Sequence, residues 1–160
     1  MRQQILAALE KNSRIDLGDL AILLGTDQVT VANEVAAMEQ EGIICGYHTL
    51  IDWSKAGVEK VTALIEVRVT PSRGHGFGNV AQRICNYPEV TSAYLISGGY
   101  DILVTLEGRT LQEVSSFVTD KLSTLDTVLS TATHFILKKY KDHGTVLEQK
   151  SGDERMQVSL

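Results

Sequence analysis

The chain lacks any apolar run of the roughly 18 to 20 residues needed to cross a bilayer, which argues against a membrane helix. It also lacks an export signal. Met1-Arg2-Gln3-Gln4-Ile5-Leu6 enters helical periodicity at once, with no long apolar core and no small-residue cleavage site after it, so a cytoplasmic protein is expected. There are only two cysteines, Cys45 and Cys85, far apart and not in a C-x-x-C arrangement, which reads as structural thiols in a reducing compartment. The four histidines (His48, His75, His134, His143) have no metal-ligand spacing, so no metal is expected. Arg73-Gly74-His75-Gly76-Phe77-Gly78 lacks both the G-K-[ST] ending and the G-x-G-x-x-G spacing of a phosphate loop, and reads as a strand-to-helix connection. No Ser/His/Asp or Cys/His pairing falls on recognisable elements, so neither an enzyme nor a resident cofactor is expected.

What is present has the balance of an ordinary globular protein, 43% apolar and 22% charged. Its 160 residues fit one mid-sized domain or two small ones. The charge is uneven. Up to Trp53 there are three basic residues (Arg2, Lys11, Arg14) against eight acidic ones, which accounts for the whole net charge of −5. From Ser54 onward there are 12 of each sign.

The first third reads as three short helices. Ile5, Leu6 and Leu9 mark the first, from about Arg2 to Glu10. Asp16 is a good cap for the second, whose apolar face is Leu17, Leu20, Ala21 and Leu24 and which Gly25 ends. Thr26 or Asp27 caps the third, with Val31, Val35 and Met38 inward and Gly42 at its end. Two helices joined by a tight glycine-containing turn make a helix-turn-helix. Ile43 to Asp52 reads as a short strand or wing, and residues 53–59 as a hinge. The period then changes. Val61 to Val69 alternates as a half-buried strand; Phe77 to Ile84 is a helix that stops before Pro88; Val90 to Ile96 and Tyr100 to Glu107 form a hairpin around Gly98-Gly99. A second helix follows from Leu111 to Leu122, and Val128 to Tyr140 is a long last strand. The order β-α-β-β-α-β is the ferredoxin-like arrangement, which leaves one sheet face bare for a second copy. The expected organisation is α+β: a winged helix-turn-helix domain over 1–52, the hinge, a domain over 60–141 and a polar tail over 142–160.

Four stretches together resemble the Lrp/AsnC family of bacterial and archaeal regulators. They are Asn12-Ser13-Arg14-Ile15, Leu20-Ala21 with Leu24-Gly25, Glu39-x-x-Gly42-Ile43-Ile44-x-Gly46-Tyr47, and Gly98-Gly99-Tyr100-Asp101 preceded by Pro88-Glu89-Val90. The resemblance implies that the first domain docks double-stranded DNA through helix three. It implies that the second, an ACT-like (RAM) domain, forms dimers and higher rings such as octamers, with an amino acid or related metabolite bound between dimers. By motif match the effector site is Ser97, Gly98, Gly99, Tyr100 and Asp101, with Thr131 and Thr133 matched by strand position. Glycine N–H groups can approach a ligand carboxylate closely, aspartate can accept from an ammonium group, and tyrosine offers an apolar wall with a hydroxyl. A purely structural reading makes Gly98-Gly99 a hairpin turn and Asp101 a strand-end residue.

Helix three departs from the family pattern, because Gln28 to Glu41 holds no Lys or Arg. DNA affinity rests on phosphate neutralisation, and carboxylates on the docking helix repel phosphates. Gln28, Thr30 and Asn33 remain to read base edges, with Arg14 and Lys11 at the rim. The leading reading is a ligand-responsive, DNA-binding regulator. The alternative is an amino-acid-binding sensor subunit whose helix-turn-helix is vestigial. An enzyme of the related siroheme decarboxylase fold is disfavoured by the intact Gly98–Asp101 stretch.

Overall fold

The computed structural model describes residues 1–71 and 76–147; Arg73, Gly74 and His75 of the glycine-rich connection and the tail from 148 onward lie outside them. The chain divides into two compact units, Met1–Leu50 and Ile51–Leu160.

The first unit holds α1 (Arg2–Lys11), α2 (Leu17–Leu24) and α3 (Gln28–Gln40). Each helix boundary has a local cause. The Asp16 carboxylate accepts from the Gly18 and Asp19 N–H groups at 2.8 and 3.1 Å, meeting two of the orphan donors at the start of α2. Gly25, in the left-handed region at φ 66°, ends α2. Asp27, rather than Thr26, caps α3 by accepting from the Thr30 N–H at 2.9 Å. Ile5, Leu20, Ala21, Val31, Val35 and Met38 are buried together, each large aliphatic among them contributing about 1.5–3 kcal/mol of burial. The expected strand over Ile43–Asp52 does not form. The segment has no regular secondary structure and is mostly exposed, because no second strand in this unit offers its N–H and C=O groups a ladder.

In the second unit the expected hinge is a closed turn. The Ala56 and Val58 N–H groups donate to the Asp52 and Trp53 carbonyls, Gly57 sits at φ 72°, and the Lys60 ammonium lies 4.1 Å from the Trp53 ring centre. There follow β1 (Val61–Val69), α4 (Gly78–Cys85), β2 (Val90–Leu95), β3 (Ile102–Gly108), α5 (Leu111–Phe117), a π-helical turn over Val118–Leu122, and β4 (Val128–Phe135). The sheet order is β2-β3-β1-β4, antiparallel throughout, as a split β-α-β requires. Ala63, Ile65, Val67, Ile102, Val104 and Leu106 face Val80, Ile84, Val114, Phe117 and Leu122 across one core.

Two expected boundaries move. The last strand ends at Phe135 rather than Tyr140, because its partner β1 begins at Val61 and the Ile136 N–H makes a final bond to the Thr62 carbonyl. The expected tail opens with a small hairpin, β5 (Lys141–Asp142) and β6 (Thr145–Val146), whose turn residues His143 and Gly144 both have positive φ (43° and 79°). Among the described residues no helix is long and apolar enough to cross a membrane. Both cysteines are free thiols, and both are exposed rather than buried.

Candidate functional site

The connection between β2 and β3 is wider than a two-residue turn. It runs from Ile96 to Asp101 and is closed by the Ile96 N–H donating to the Asp101 carbonyl at 2.8 Å. Neither Gly98 nor Gly99 has the positive φ that a tight hairpin turn demands. Their contribution is openness: a Cβ built on Gly99 meets nothing within 4 Å, and one on Gly98 meets only the Ile96 side chain at 3.8 Å. Ser97, Gly98 and Gly99 are exposed and Tyr100 is half-buried.

Asp101 is tied to the end of β1. Its N–H donates to the Val67 carbonyl at 3.1 Å, and its Oδ2 accepts from the Val69 N–H at 2.9 Å, where the β1–β4 register shifts. One carboxylate oxygen is therefore committed to the sheet, while Oδ1 makes no hydrogen bond among the described residues. Ile102, next in sequence, and Thr131 pair with Val67 from opposite sides, placing Thr131 roughly 10 Å across the sheet from Ile102. Thr131 and the 97–101 loop thus share one end of the sheet. Thr133 pairs with Ile65, one repeat further toward the middle. A separate cavity of about 620 Å³ lies near the other end of β3 and includes none of these residues. It is lined by Glu89, Glu113, Phe117 and Lys121, among others, and the Lys121 ammonium paired with Glu89 holds that carboxyl below its usual range.

On α3 the structure places the carboxylates to the sides of the exposed face. With Val31, Val35 and Met38 inward, helical spacing turns Val29, Asn33, Ala36 and Gln40 outward, and all four are exposed. None is charged. Glu34 and Glu41 stand on a flank, where Arg2 of α1 holds both: Nε to Glu34 Oε2 at 2.6 Å, and the two terminal nitrogens to the Glu41 oxygens at 2.7 and 3.0 Å. Hydrogen bonding to these carboxylates raises the Arg2 pKa, and Arg2 lowers that of Glu41. On the other flank the Tyr47 hydroxyl donates to Glu39 at 2.7 Å. Of the predicted contacts, Arg14 and Asn33 are exposed. Thr30 is engaged by the Asp27 carboxylate, its hydroxyl donating at 2.6 Å. Gln28 turns toward α2, its Oε1 lying 3.6 Å from where a Gly18 Cβ would stand. Sequence reasoning missed the Arg2 clamp. It also missed the outward line of Val29, Ala36 and Gln40, which the 3.6-residue period of α3 alone could have supplied.

Residues 62–146 match the family described as the Lrp/AsnC ligand binding domain. The chain belongs to the Lrp/AsnC family. Over 157 residues it is 49% identical to YugG, an HTH-type transcriptional regulator of Bacillus subtilis, covering 98% of this chain and 95% of that one. The proline dehydrogenase transcriptional activator of Rhodobacter capsulatus is 30% identical over 149 residues, covering 93% and 92%. Among solved structures, AsnC of E. coli superposes with a TM-score of 0.65 at 26% identity, covering 86% of this chain and 91% of that one. A regulator of Neisseria meningitidis solved in complex with L-methionine does so with a TM-score of 0.70 at 23% identity, covering 88% and 90%. This Lrp/AsnC chain is a transcriptional regulator of that type, with the family's ligand-binding domain in its second unit and a helix-turn-helix in its first.

Proposed function

We propose that this Lrp/AsnC regulator is a cytoplasmic homo-oligomer that binds double-stranded DNA through α3 and responds to an amino acid or related metabolite. The observation that carries the ligand half is the Ile96–Asp101 loop. Two exposed glycines present backbone N–H groups to a carboxylate, and an aspartate pinned to β1 keeps one oxygen for an ammonium group. The neighbour bound to L-methionine supports an amino acid as the ligand class.

A thermal-shift screen against the twenty amino acids tests this. A ligand at about 100 times its Kd stabilises the native state by roughly 2.7 kcal/mol, a shift of several degrees. Gly99→Arg is the blocking variant, since its Cβ has open space and no left-handed backbone opposes it. It should fold normally and lose the shift. A shift kept in full by Gly99→Arg would place the ligand elsewhere, and no shift with any amino acid would remove this ligand class.

The oligomer rests on the sheet face turned away from the helices, where Leu64, Leu103 and Tyr94 stand around the Glu66–His134 pair at 3.3 Å. A second copy covers these side chains, and a monomer in sedimentation at micromolar concentration would contradict this. One observation favours the sensor-subunit alternative: Ile22 and Leu23 of α2 are 79% and 74% exposed in a unit poor in bases. Under that reading the amino-acid shift persists while no DNA is retained at low salt.

A further inference from the structure

We propose that the cavity beside α5, at the end of β3 away from the Ile96–Asp101 loop, binds a linear polyamine, a methylene chain with ammonium groups spaced along it. This site is independent of the amino-acid site: none of its lining residues belongs to that loop, and neither Thr131 nor Thr133 is among them.

The cavity, about 620 Å³, has the size of a small-molecule site, and its floor is apolar: Leu106, Val114 and Phe117, all members of the core. Carboxylates stand around that floor. Glu89 precedes β2, Glu107 ends β3, Glu113 is in α5 and Asp120 is in the turn that continues it. Lys121 is the one base among the described lining residues. It is carried by the π-helical turn over Val118–Leu122, a departure from α-helix that recurs at functional sites. Its ammonium pairs with Glu89 Oε1 and lies 5.4 Å from the ring centres of both Tyr87 and Phe117. An ammonium group is thus already favoured here, by a carboxylate and two aromatic rings. The second Glu89 oxygen, Oε2, is shut off from solvent and accepts no hydrogen bond among the described residues. A buried carboxylate oxygen calls for a donor, and Lys121 is already engaged by Oε1.

Charge and spacing select the ligand class. Glu107 is paired with Lys60 at 3.1 Å and Glu89 with Lys121, so Glu113 and Asp120 leave the cavity net acidic and an anion is repelled. A metal ion is a poor fit, because among the described residues no three acidic, histidine or cysteine side chains stand close enough to hold one. Charge spread along a chain fits better. Glu113 and Asp120 are seven residues apart, about two turns or roughly 10 Å along the axis, with Phe117 between them. The order carboxylate, ring, carboxylate complements ammonium, methylenes, ammonium. Extended spermidine spans that separation, and putrescine spans less.

The test is isothermal titration calorimetry of the full chain with spermidine at about 50 mM salt, with putrescine and magnesium compared at matched ionic strength. Spermidine should saturate one site per subunit and bind more tightly than either. Glu113→Gln and Asp120→Asn should each weaken spermidine binding about tenfold. Neither variant threatens the fold. A glutamine oxygen still accepts from the Arg109 N–H that Glu113 holds at 2.7 Å, and nothing among the described residues engages the Asp120 carboxylate. Glu10→Gln, which removes the same charge from an exposed position of α1, should change nothing. Gly99→Arg, which blocks the amino-acid loop, should leave spermidine binding intact. The inference is overturned by absence of saturable spermidine binding, by putrescine or magnesium matching it, or by its loss in Gly99→Arg. It is equally overturned if Glu113→Gln and Asp120→Asn weaken binding no more than Glu10→Gln does. The amino-acid reading is tested apart from this, by the thermal shift and its loss in Gly99→Arg.

Discussion

Asp101 holds the sheet apart from its proposed part in ligand binding, and a substitution there tests two properties at once. Its Oδ2 is the acceptor for the Val69 N–H at the irregular end of β1. Asp101→Ala leaves that donor without its partner and should cost about 1–3 kcal/mol in urea denaturation, whatever happens to binding. Asp101→Asn keeps an oxygen for Val69 and removes the charge. It should therefore stay near native stability while losing the amino-acid thermal shift, and the asparagine variant, not the alanine one, reports on the effector site. Arg2 is the corresponding residue in the first unit. Arg2→Ala releases Glu34 and Glu41 beside the outward line of α3. Folding should change little, because exposed ion pairs contribute little. DNA affinity should fall at low salt, with the difference shrinking as salt is raised. Asn33 was legible in the sequence, whereas the flank position of Glu34, although the helical period carries it, was not anticipated. Arg2 was not, because its partners lie 32 and 39 residues away and only folding brings them together.

At the scale of elements, helices were more legible than strands, for a physical reason. A helix closes its hydrogen bonds within its own segment, so caps such as Asp16 and Asp27 and the stop at Gly25 announce it locally. A strand needs a partner. Ile43–Asp52 has the apolar content of a strand and no neighbour to pair with, and β4 stops where β1 begins. The β2–β3 connection was misjudged because a glycine pair looks the same whether it serves a left-handed turn or an open loop.

Caps also give the first unit a pH dependence. Hydrogen bonds from Thr30 lower the Asp27 pKa below its ordinary 3.8, and Arg2 lowers that of Glu41 below its ordinary 4.5. Groups shifted in this direction contribute fully above their unfolded values and lose the contribution as pH falls through the folded ones. Circular dichroism melts of the full chain should be insensitive to these groups from pH 7 to 5 and fall below about pH 4. Asp27→Asn, which caps without titrating, should flatten part of that fall.

For the whole molecule, the proposed function joined to the distribution of charge predicts weak DNA binding through each subunit and dependence on several engaging together. Lys11 and Arg14 are the exposed bases of the first unit outside the Arg2 clamp. Two phosphate contacts per subunit predict a slope of about −2 for log K against log salt, or roughly −4 for a dimer on two half-sites, shallower than for a richly basic helix-turn-helix. In the proposed homo-oligomer, linked heads would have a raised effective concentration on DNA, so an assembly could reach useful affinity where one head cannot.

The most direct measurement of that combination is fluorescence anisotropy of a labelled duplex from the gene's own upstream region. It is titrated with the full chain at about 50 mM salt, with and without the amino acid found in the thermal screen. Saturable binding at micromolar protein or below is expected, with a midpoint that the amino acid displaces. No binding at tens of micromolar, or binding that the amino acid leaves unchanged, would contradict it.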